Sequence, residues 1–479
     1  MQFNMHHSSQ NREILLKKAT PSVLDWLVVI ILASFAFICY DQTFDMCVTM
    51  PQASDLISCL FEGKIIHFYS YITEKAAQGS YLSNGASYNI FLYITMAVLA
   101  SPMYLLNKLV GLDRYVFLLN LWSRIIFIGF SVYCAYLITR ISSKFTGDQV
   151  KAKWMGYFFL SSPIFIYCVI IQNQYDILSV TATLLALFFY FDKKYYKFSA
   201  LMSLAVCYKL FPILVFFPLI LLAEKKIVKL LQYAIIVVSP YIVSTLAYTI
   251  FDPSYGATQE GLKSGYDFFG RVYAAQIGGG ISNISIFMVL LILICVYAYY
   301  IHPKPAEFAA TTMALCTASY ANFFIFVKWH PQWFIVIMPF LILMIFSMKN
   351  FRLGVLLEIA VTATYLFAAS LRYMTFYMMN NSLLVSLTSG MFTLAEHPNP
   401  LYTAYLGLGI SDVPVGSLFA GALLALMFIA YKELKLSRDG INPYANEIKI
   451  ERTMLLVRSL TILIYALPPV IYYLSSPVV

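Results

Sequence analysis

The chain has 479 residues, of which 61% are hydrophobic and only 11% charged, with a net charge of +9. A soluble protein is about 45–50% apolar and about 25% charged, so there is too little charge here to cover a water-facing surface, and the composition points to an all-α polytopic membrane protein. The 32 basic residues are scattered between apolar stretches without a long basic run, which argues against nucleic acid as a partner and for membrane lipids.

A hydrocarbon core of about 30 Å takes roughly 20 apolar residues per helix. In chain order the apolar runs predict about thirteen transmembrane helices: 22–40, 115–139, 154–171, 176–191, 196–210, 211–223, 228–250, 281–301, 306–327, 332–348, 353–373, 413–433 and 453–475. The first run is too long for the apolar core of a cleavable signal peptide. Runs 176–191, 196–210 and 211–223 are short and read as partial-depth hairpin helices, with Phe211-Pro212 breaking the chain between the last two. The expected organisation is one integral membrane domain, 1–479. It comprises a first external loop 41–114 with interfacial helices, a central core 115–225, and a C-terminal module 226–479 with external loops 251–280 and 374–412.

Lys and Arg set orientation. With the N-terminus in the cytoplasm, 21 of the 32 fall inside and nine outside, while Arg124 and Arg458 lie within spans. Arg124 then needs a partner, and Asp25 and Glu358 are available. Residues 88–108 are apolar enough to cross, but a crossing there would put the basic loop 140–153 outside and worsen the charge bias after it. They are therefore expected to lie along the outer interface. Cys47 and Cys59 share the first loop and would either pair in an oxidising compartment or remain free thiols.

With no soluble domain attached, chemistry would sit where polar residues meet span ends on the outer face. Asp41 and Asp45 follow the first span; they are either solvated loop acids or a general base. Asp55 and Glu62 lie on a short amphipathic helix that stops at Gly63 and read as solvated. Asn173-Gln174-Tyr175-Asp176 is either a helix-capping turn or a polar pocket. Lys209 interrupts an apolar run and either snorkels or meets an anion. Lys328-Trp329-His330-Pro331-Gln332-Trp333 is either an aromatic belt or a site for a lipid-linked phosphate. Arg372 and His397 are weaker candidates.

The order of these clusters resembles the lipid-phosphate-sugar-dependent glycosyltransferases of the C-type membrane fold. The nearest patterns are the polyprenol-phosphate-mannose-dependent mannosyltransferases of glycosyltransferase family 87 and the GPI mannosyltransferase I catalytic subunits. The matching stretches are Asp45-Met46-Cys47-Val48, Glu62-Gly63-Lys64 with Tyr69, and Tyr88-Asn89-Ile90-Phe91-Leu92. Asn173-Gln174-Tyr175-Asp176, with Asn173 where the family has Gly, is followed by Asp192-Lys193-Lys194. Then come Ala205 through Lys209 to Pro212, and His330-Pro331-Gln332-Trp333.

The resemblance implies an inverting hexosyl transfer, mannose-like, from a polyprenyl-phosphate sugar to a lipid-linked or cell-surface glycan acceptor at the outer membrane face; separately, a bacterial plasma membrane is the expected location. It implies Asp45 as general base, with Asp41 as runner-up and His330 near the lipid phosphate or the acceptor. Lys209 and Lys328 would hold the lipid phosphate, and Gln174, Asp176, Asn173 and Trp333 would line the sugar or acceptor pocket. No cofactor or metal is expected, because Asp41 and Asp45 are spaced D-x-x-x-D rather than D-x-D; a small membrane partner subunit is compatible. Rival classes are a transporter or flippase of lipid-linked saccharides, which should show inverted repeats, and a polysaccharide polymerase, which should carry arginine-rich external loops. Loops 251–280 and 374–412 hold only Lys263 and Arg271, with Arg372 at the edge.

Overall fold

A computed structural model describes residues 14–15, 20–40, 43–255, 271–272, 275–278, 283–372, 382–388, 405–409, 412–436 and 442–475. The described chain is almost wholly helical. In order, the helices are α1 (Val23–Cys39), α2 (Thr43–Phe61), α3 (Phe68–Ala77), α4 (Ile90–Val110), α5 (Tyr115–Thr146), α6 (Gln149–Leu160) and a short α7 (Pro163–Phe165). α8 (Asp176–Phe191), α9 (Tyr195–Tyr208), α10 (Ile213–Ala223), α11 (Ile227–Phe251), α12 (Ile286–Tyr300) and α13 (Pro305–Phe326) follow. The series ends with α14 (Met338–Ile345), α15 (Phe351–Arg372), α16 (Leu383–Leu387), α17 (Asp412–Leu436), α18 (Arg452–Leu460) and α19 (Leu463–Ser475). Two antiparallel two-residue pairs complete it: Ile14–Leu15 with Lys449–Ile450, and Gln276–Ile277 with Ile284–Ser285.

Among the described residues, six helices are long and apolar enough to cross a membrane, or eight if two bent pairs each count as one span. Their outer faces are those of a protein that lives in lipid. On α11, Ile227, Val228, Leu231, Ile235, Val243, Leu246 and Ile250 are all exposed, an apolar stripe that a soluble monomer does not carry. The three short runs appear as α8, α9 and α10, of 16, 14 and 11 residues. The chain breaks before Ile213, at Phe211-Pro212, as Pro requires.

One expectation changes. Asp45 is not in a loop: α2 begins at Thr43 and runs unbroken through Pro51 to Phe61. It closes with Gly63 at φ +69 and the Lys64 amide donating to the Cys59 carbonyl (2.8 Å), a glycine stop of the kind expected. Cys47 and Cys59 therefore lie about 18 Å apart along one helix, far beyond the roughly 7 Å a disulfide can span, so they are not joined to each other. α4 is long and apolar enough to qualify as a crossing helix, as its sequence allowed.

Buried charge is met inside the bundle. Arg458 and Glu358, each 1% exposed, form a two-pronged ion pair (2.6 and 2.7 Å). The same guanidinium donates to the Ser161 hydroxyl and the Phe158 carbonyl, so α18, α15 and the end of α6 are joined at one point. Glu358 is thus committed to Arg458, and Asp25 closes a capping box with Ser22 at the start of α1. Neither is Arg124's partner.

α5 and α6 approach closely at Gly156, where an added Cβ would lie 2.8 Å from the Ala135 carbonyl oxygen. Gly156→Val should therefore separate the two helices and destabilise the protein by about 1–3 kcal/mol, the usual size of overpacking. It should be read as a lowered thermal midpoint of the detergent-solubilised protein, with Gly129→Ala, which meets open space, as the control.

Candidate functional site

The site begins with a distorted turn. After Ser162-Pro163 starts a new helical segment, Ile166–Ile171 winds in the wider π form, a feature enriched at functional sites. The Gln172 amide reaches back to the Tyr167 carbonyl (2.9 Å) and the Gln174 amide to the Cys168 carbonyl (3.2 Å). Asn173 then takes φ +47, in the left-handed region that Asn tolerates better than most residues. Its side-chain amide donates to Asn120 Oδ1 (2.8 Å) and the Ser123 hydroxyl (2.9 Å). Asn173 is fully buried against α5, where these bonds brace the turn. Arg124, one turn further along α5, donates to the Ile170 carbonyl (2.9 Å) and stacks over Phe37 at 4.2 Å. A carbonyl and a ring thus receive the buried guanidinium.

From this turn Gln174 reaches α2. Its Nε2 donates to Asp45 Oδ2 (2.6 Å) and to the Gln172 carbonyl (3.2 Å). Asp45 is half-buried in the first turn of α2, where a carboxylate also benefits from the helix dipole. The amide orients the carboxylate without removing its negative charge.

Asp176, the first residue of α8, has no solvent exposure, and its Oδ1 lies 3.3 Å from Lys209 Nζ. Lys209 stands in extended backbone just past α9. The ammonium sits among three rings, with centroids at 4.7 Å (Tyr175), 5.3 Å (Tyr88) and 5.4 Å (Trp333). A cation taken from water is stabilised by such faces and by its counter-ion. The other end of the α8–α9 hairpin carries the ion pairs of Asp192 with Lys144 and Lys194, one helix length away.

His330 and Trp333 arrive from the break after α13. Pro331 opens a 3₁₀ turn to Val336, and the His330 ring meets the Trp333 ring edge-on at 5.1 Å. His330 Nε2 lies 3.3 Å from Arg271 Nη2. A guanidinium only donates, so Nε2 accepts and the ring proton is assigned to Nδ1. Burial, then the adjacent Arg271 charge, pushes the His330 pKa down to about 4. With its pKa lowered this far, the ring is uncharged at neutral pH. Asp45, Lys209 and Lys328 also act on it electrostatically, which places all four groups in one cluster.

Lys328 exposes its side chain beside an apolar groove of about 400 Å³ walled by Phe324, Trp329, Tyr365, Val415 and Phe419. Asp41, Glu396 and His397 lie outside the described residues, as does the Arg372 side chain. Asp55 and Glu62 sit at least about 15 Å further along the α2 direction. Asp55 pairs with Lys75 (2.9 Å) and accepts from Tyr81; Glu62 pairs with Lys64 (2.7 Å).

Sequence reading missed Arg271, Tyr88 and Tyr175 as site residues. The available signal was scarcity: Arg271 is one of two basic residues within two long loops.

The fold and site thus define a helical, multi-pass membrane protein with a charged, aromatic-lined centre gathered from six separate segments. No known protein-family model matches the chain, and no characterised protein matches it in sequence.

Lys209→Met strands the wholly buried Asp176 and should cost about 3–5 kcal/mol. Its thermal midpoint in detergent should fall below that of Asp176→Asn and of the Asp176→Leu/Lys209→Met double variant; equal losses would show that the pair is not coupled. His330 should remain neutral at about pH 6 by ¹⁵N-histidine NMR, with its signal assigned through His330→Gln. Because its pKa falls from 6.5 to about 4 on folding, the unfolded chain binds the proton first. The His330 contribution to stability is then present above about pH 6.5, fades as pH falls toward about 4, and should be absent in His330→Gln.

Proposed function

We propose that the protein is an inverting glycosyltransferase that moves a hexose, mannose-like, from a polyprenyl-phosphate donor to a lipid-linked or cell-surface glycan acceptor. The supporting observation is the convergence of a carboxylate held by an amide, Asp45 with Gln174, on two cations that flank Trp333. One group can take a proton, and cationic groups can receive a phosphate, within one cluster. The groove beside Lys328 has apolar walls suited to isoprenoid units. The family resemblance of these motifs supplies the donor class. It also carries the finer architecture: about thirteen spans in the C-type arrangement, the N-terminus in the cytoplasm, and the site facing outward from a bacterial plasma membrane.

In this reading the acceptor hydroxyl gives its proton to Asp45 as its oxygen bonds to the anomeric carbon. The anomeric carbon–oxygen bond to phosphate breaks on the opposite face of the ring, and that electron pair leaves on the phosphate. Phosphate is stable as an anion, so cations that meet its developing charge replace a strong general acid. Gln174 keeps the Asp45 carboxylate aimed, and Asp176 keeps Lys209 in place. Trp333, Tyr88 and Tyr175 offer ring faces to the sugar. No metal or other cofactor takes part.

The test is incubation of purified protein with a panel of polyprenyl-phosphate sugars and lipid-linked acceptors, measuring released polyprenyl phosphate. Asp45→Asn should lose at least about 100-fold in rate with an unchanged melting curve, and a chelator should change nothing. Transfer by Asp45→Asn at near wild-type rate would remove the base assignment; release from no donor in the panel would remove the reaction class.

A further inference from the structure

The groove beside Lys328 is a cavity of about 400 Å³ bounded by the end of α13, the segment to Pro331, the last turns of α15 and the first turns of α17. Apart from Lys328, three of its described wall residues carry side-chain polar atoms, and each already has a backbone partner. Trp329 Nε1 donates to the Phe324 carbonyl (2.8 Å), the Tyr365 hydroxyl to the Pro331 carbonyl (2.6 Å) and the Ser417 hydroxyl to the Val413 carbonyl (2.7 Å). The Trp329 and Tyr365 rings are stacked, 10° from parallel, and make a flat wall. Among the described residues that line the cavity, Lys328 is the one that carries charge, and it is exposed. Walls of this kind take an apolar chain and offer an anion a partner only at the Lys328 edge.

One side of the cavity faces lipid: Val413, which lines it, is 71% exposed, and Phe367 and Leu418, next in the chain to lining residues, are exposed as well. The other side adjoins the charged centre, because Pro331 lines it and directly follows His330. At about 30 Å³ per water-sized group, a space of about 400 Å³ holds on the order of a dozen carbon atoms, a fraction of an undecaprenyl chain. We propose that the groove seats only about two or three isoprene units of the carrier, those next to its phosphate, with Lys328 meeting the phosphate at the mouth. The chain enters sideways between α15 and α17, and the remainder stays in the bilayer. This rests on the polyprenyl-phosphate reading above and makes the groove, rather than the full length of the chain, the determinant of carrier specificity. Small residues leave the space: Ala368 on α15, and Gly416 and Ala420 one turn apart on α17. An added Cβ at Gly416 meets no atom within 4 Å, so a larger side chain there can fill the groove without pushing the helices apart.

The experiment measures binding to the purified full-length protein in detergent, first of undecaprenyl phosphate against phosphatidylglycerol, an anionic head on two acyl chains, and then of shorter isoprenyl phosphates. The wild type should prefer undecaprenyl phosphate. Farnesyl phosphate, with three isoprene units, should bind within severalfold of it, and isopentenyl phosphate, with one, at least about tenfold more weakly, the loss expected when several apolar carbons no longer fill the groove. Gly416→Phe and Ala368→Leu, with unchanged melting curves, should each weaken undecaprenyl and farnesyl phosphate at least about tenfold. Gly421→Phe, on the same helix but outside the groove lining and likewise free of clashes, should bind as the wild type does. Lys328→Met should weaken farnesyl phosphate and leave the uncharged farnesol unchanged.

If the wild type does not distinguish undecaprenyl phosphate from phosphatidylglycerol, the carrier reading itself fails. If it does, but either groove variant with its melting curve intact binds as the wild type does, the groove is not the seat of the chain and only this inference falls. A rise of tenfold or more from farnesyl to undecaprenyl phosphate would overturn it too, since the chain would then be held well beyond the groove. If Lys328→Met loses farnesyl phosphate and farnesol equally, Lys328 does not meet the phosphate.

Discussion

Everything at the site depends on one buried turn, residues 172–176, and on its polar groups finding partners inside the protein. Gln172 donates to the Tyr465 hydroxyl on α19, Asn173 to α5, and Gln174 to Asp45 on α2, while Asp176 pairs with Lys209 beyond α9. Non-helical backbone at membrane depth is tolerated only where protein supplies its hydrogen bonds. Here the side chains of Gln172, Asn173, Gln174 and Asp176 each reach a different part of the bundle. Four residues therefore tie together α2, α5, α8, α19 and the Lys209 segment after α9, and Gln174 also orients the Asp45 carboxylate.

The same low-dielectric surroundings govern the charges. A buried ion is costly unless paired, and the protein meets this in two ways. Lys209 is matched by a carboxylate and three aromatic faces. Arg271 is steered by the neutral ring of His330. Both arrangements hold a cation in a fixed place against the Trp333 ring.

A chain of contacts connects the first-segment helices to this centre. Asp252, at the end of α11, is fully buried and accepts from the Tyr69 and Ser70 amides, capping α3 across the fold. The Tyr69 hydroxyl donates to the Tyr88 carbonyl (2.7 Å), and the Tyr88 ring faces Lys209. Tyr88 is thereby held by a carboxylate more than 160 positions away in the chain. The capping interaction gives a physical role to an acid that, in the sequence, is only one more charge near the end of an apolar run.

Much was legible in the residues alone. Apolar runs of helical length show where helices form, and Pro and Gly show where they stop. In a chain with 11% charge, almost any charged residue beside a span end is conspicuous, which is why Asp45, Asp176, Lys209 and His330 could be singled out. Gln174 and Trp333 followed from their neighbours in the motif. What the sequence could not show is which of these groups meet. Arg124 had two acids to choose from and took a carbonyl and a ring; Glu358 went to Arg458. Cys47 and Cys59 shared a predicted loop and proved to lie on one helix. Arg271 reaches His330 across 59 positions. Helix formation is decided by local spacing and by the absence of water, both written along the chain. The partner of a buried charge is decided by helix packing, which brings together residues whose separation in sequence carries no information about their separation in space.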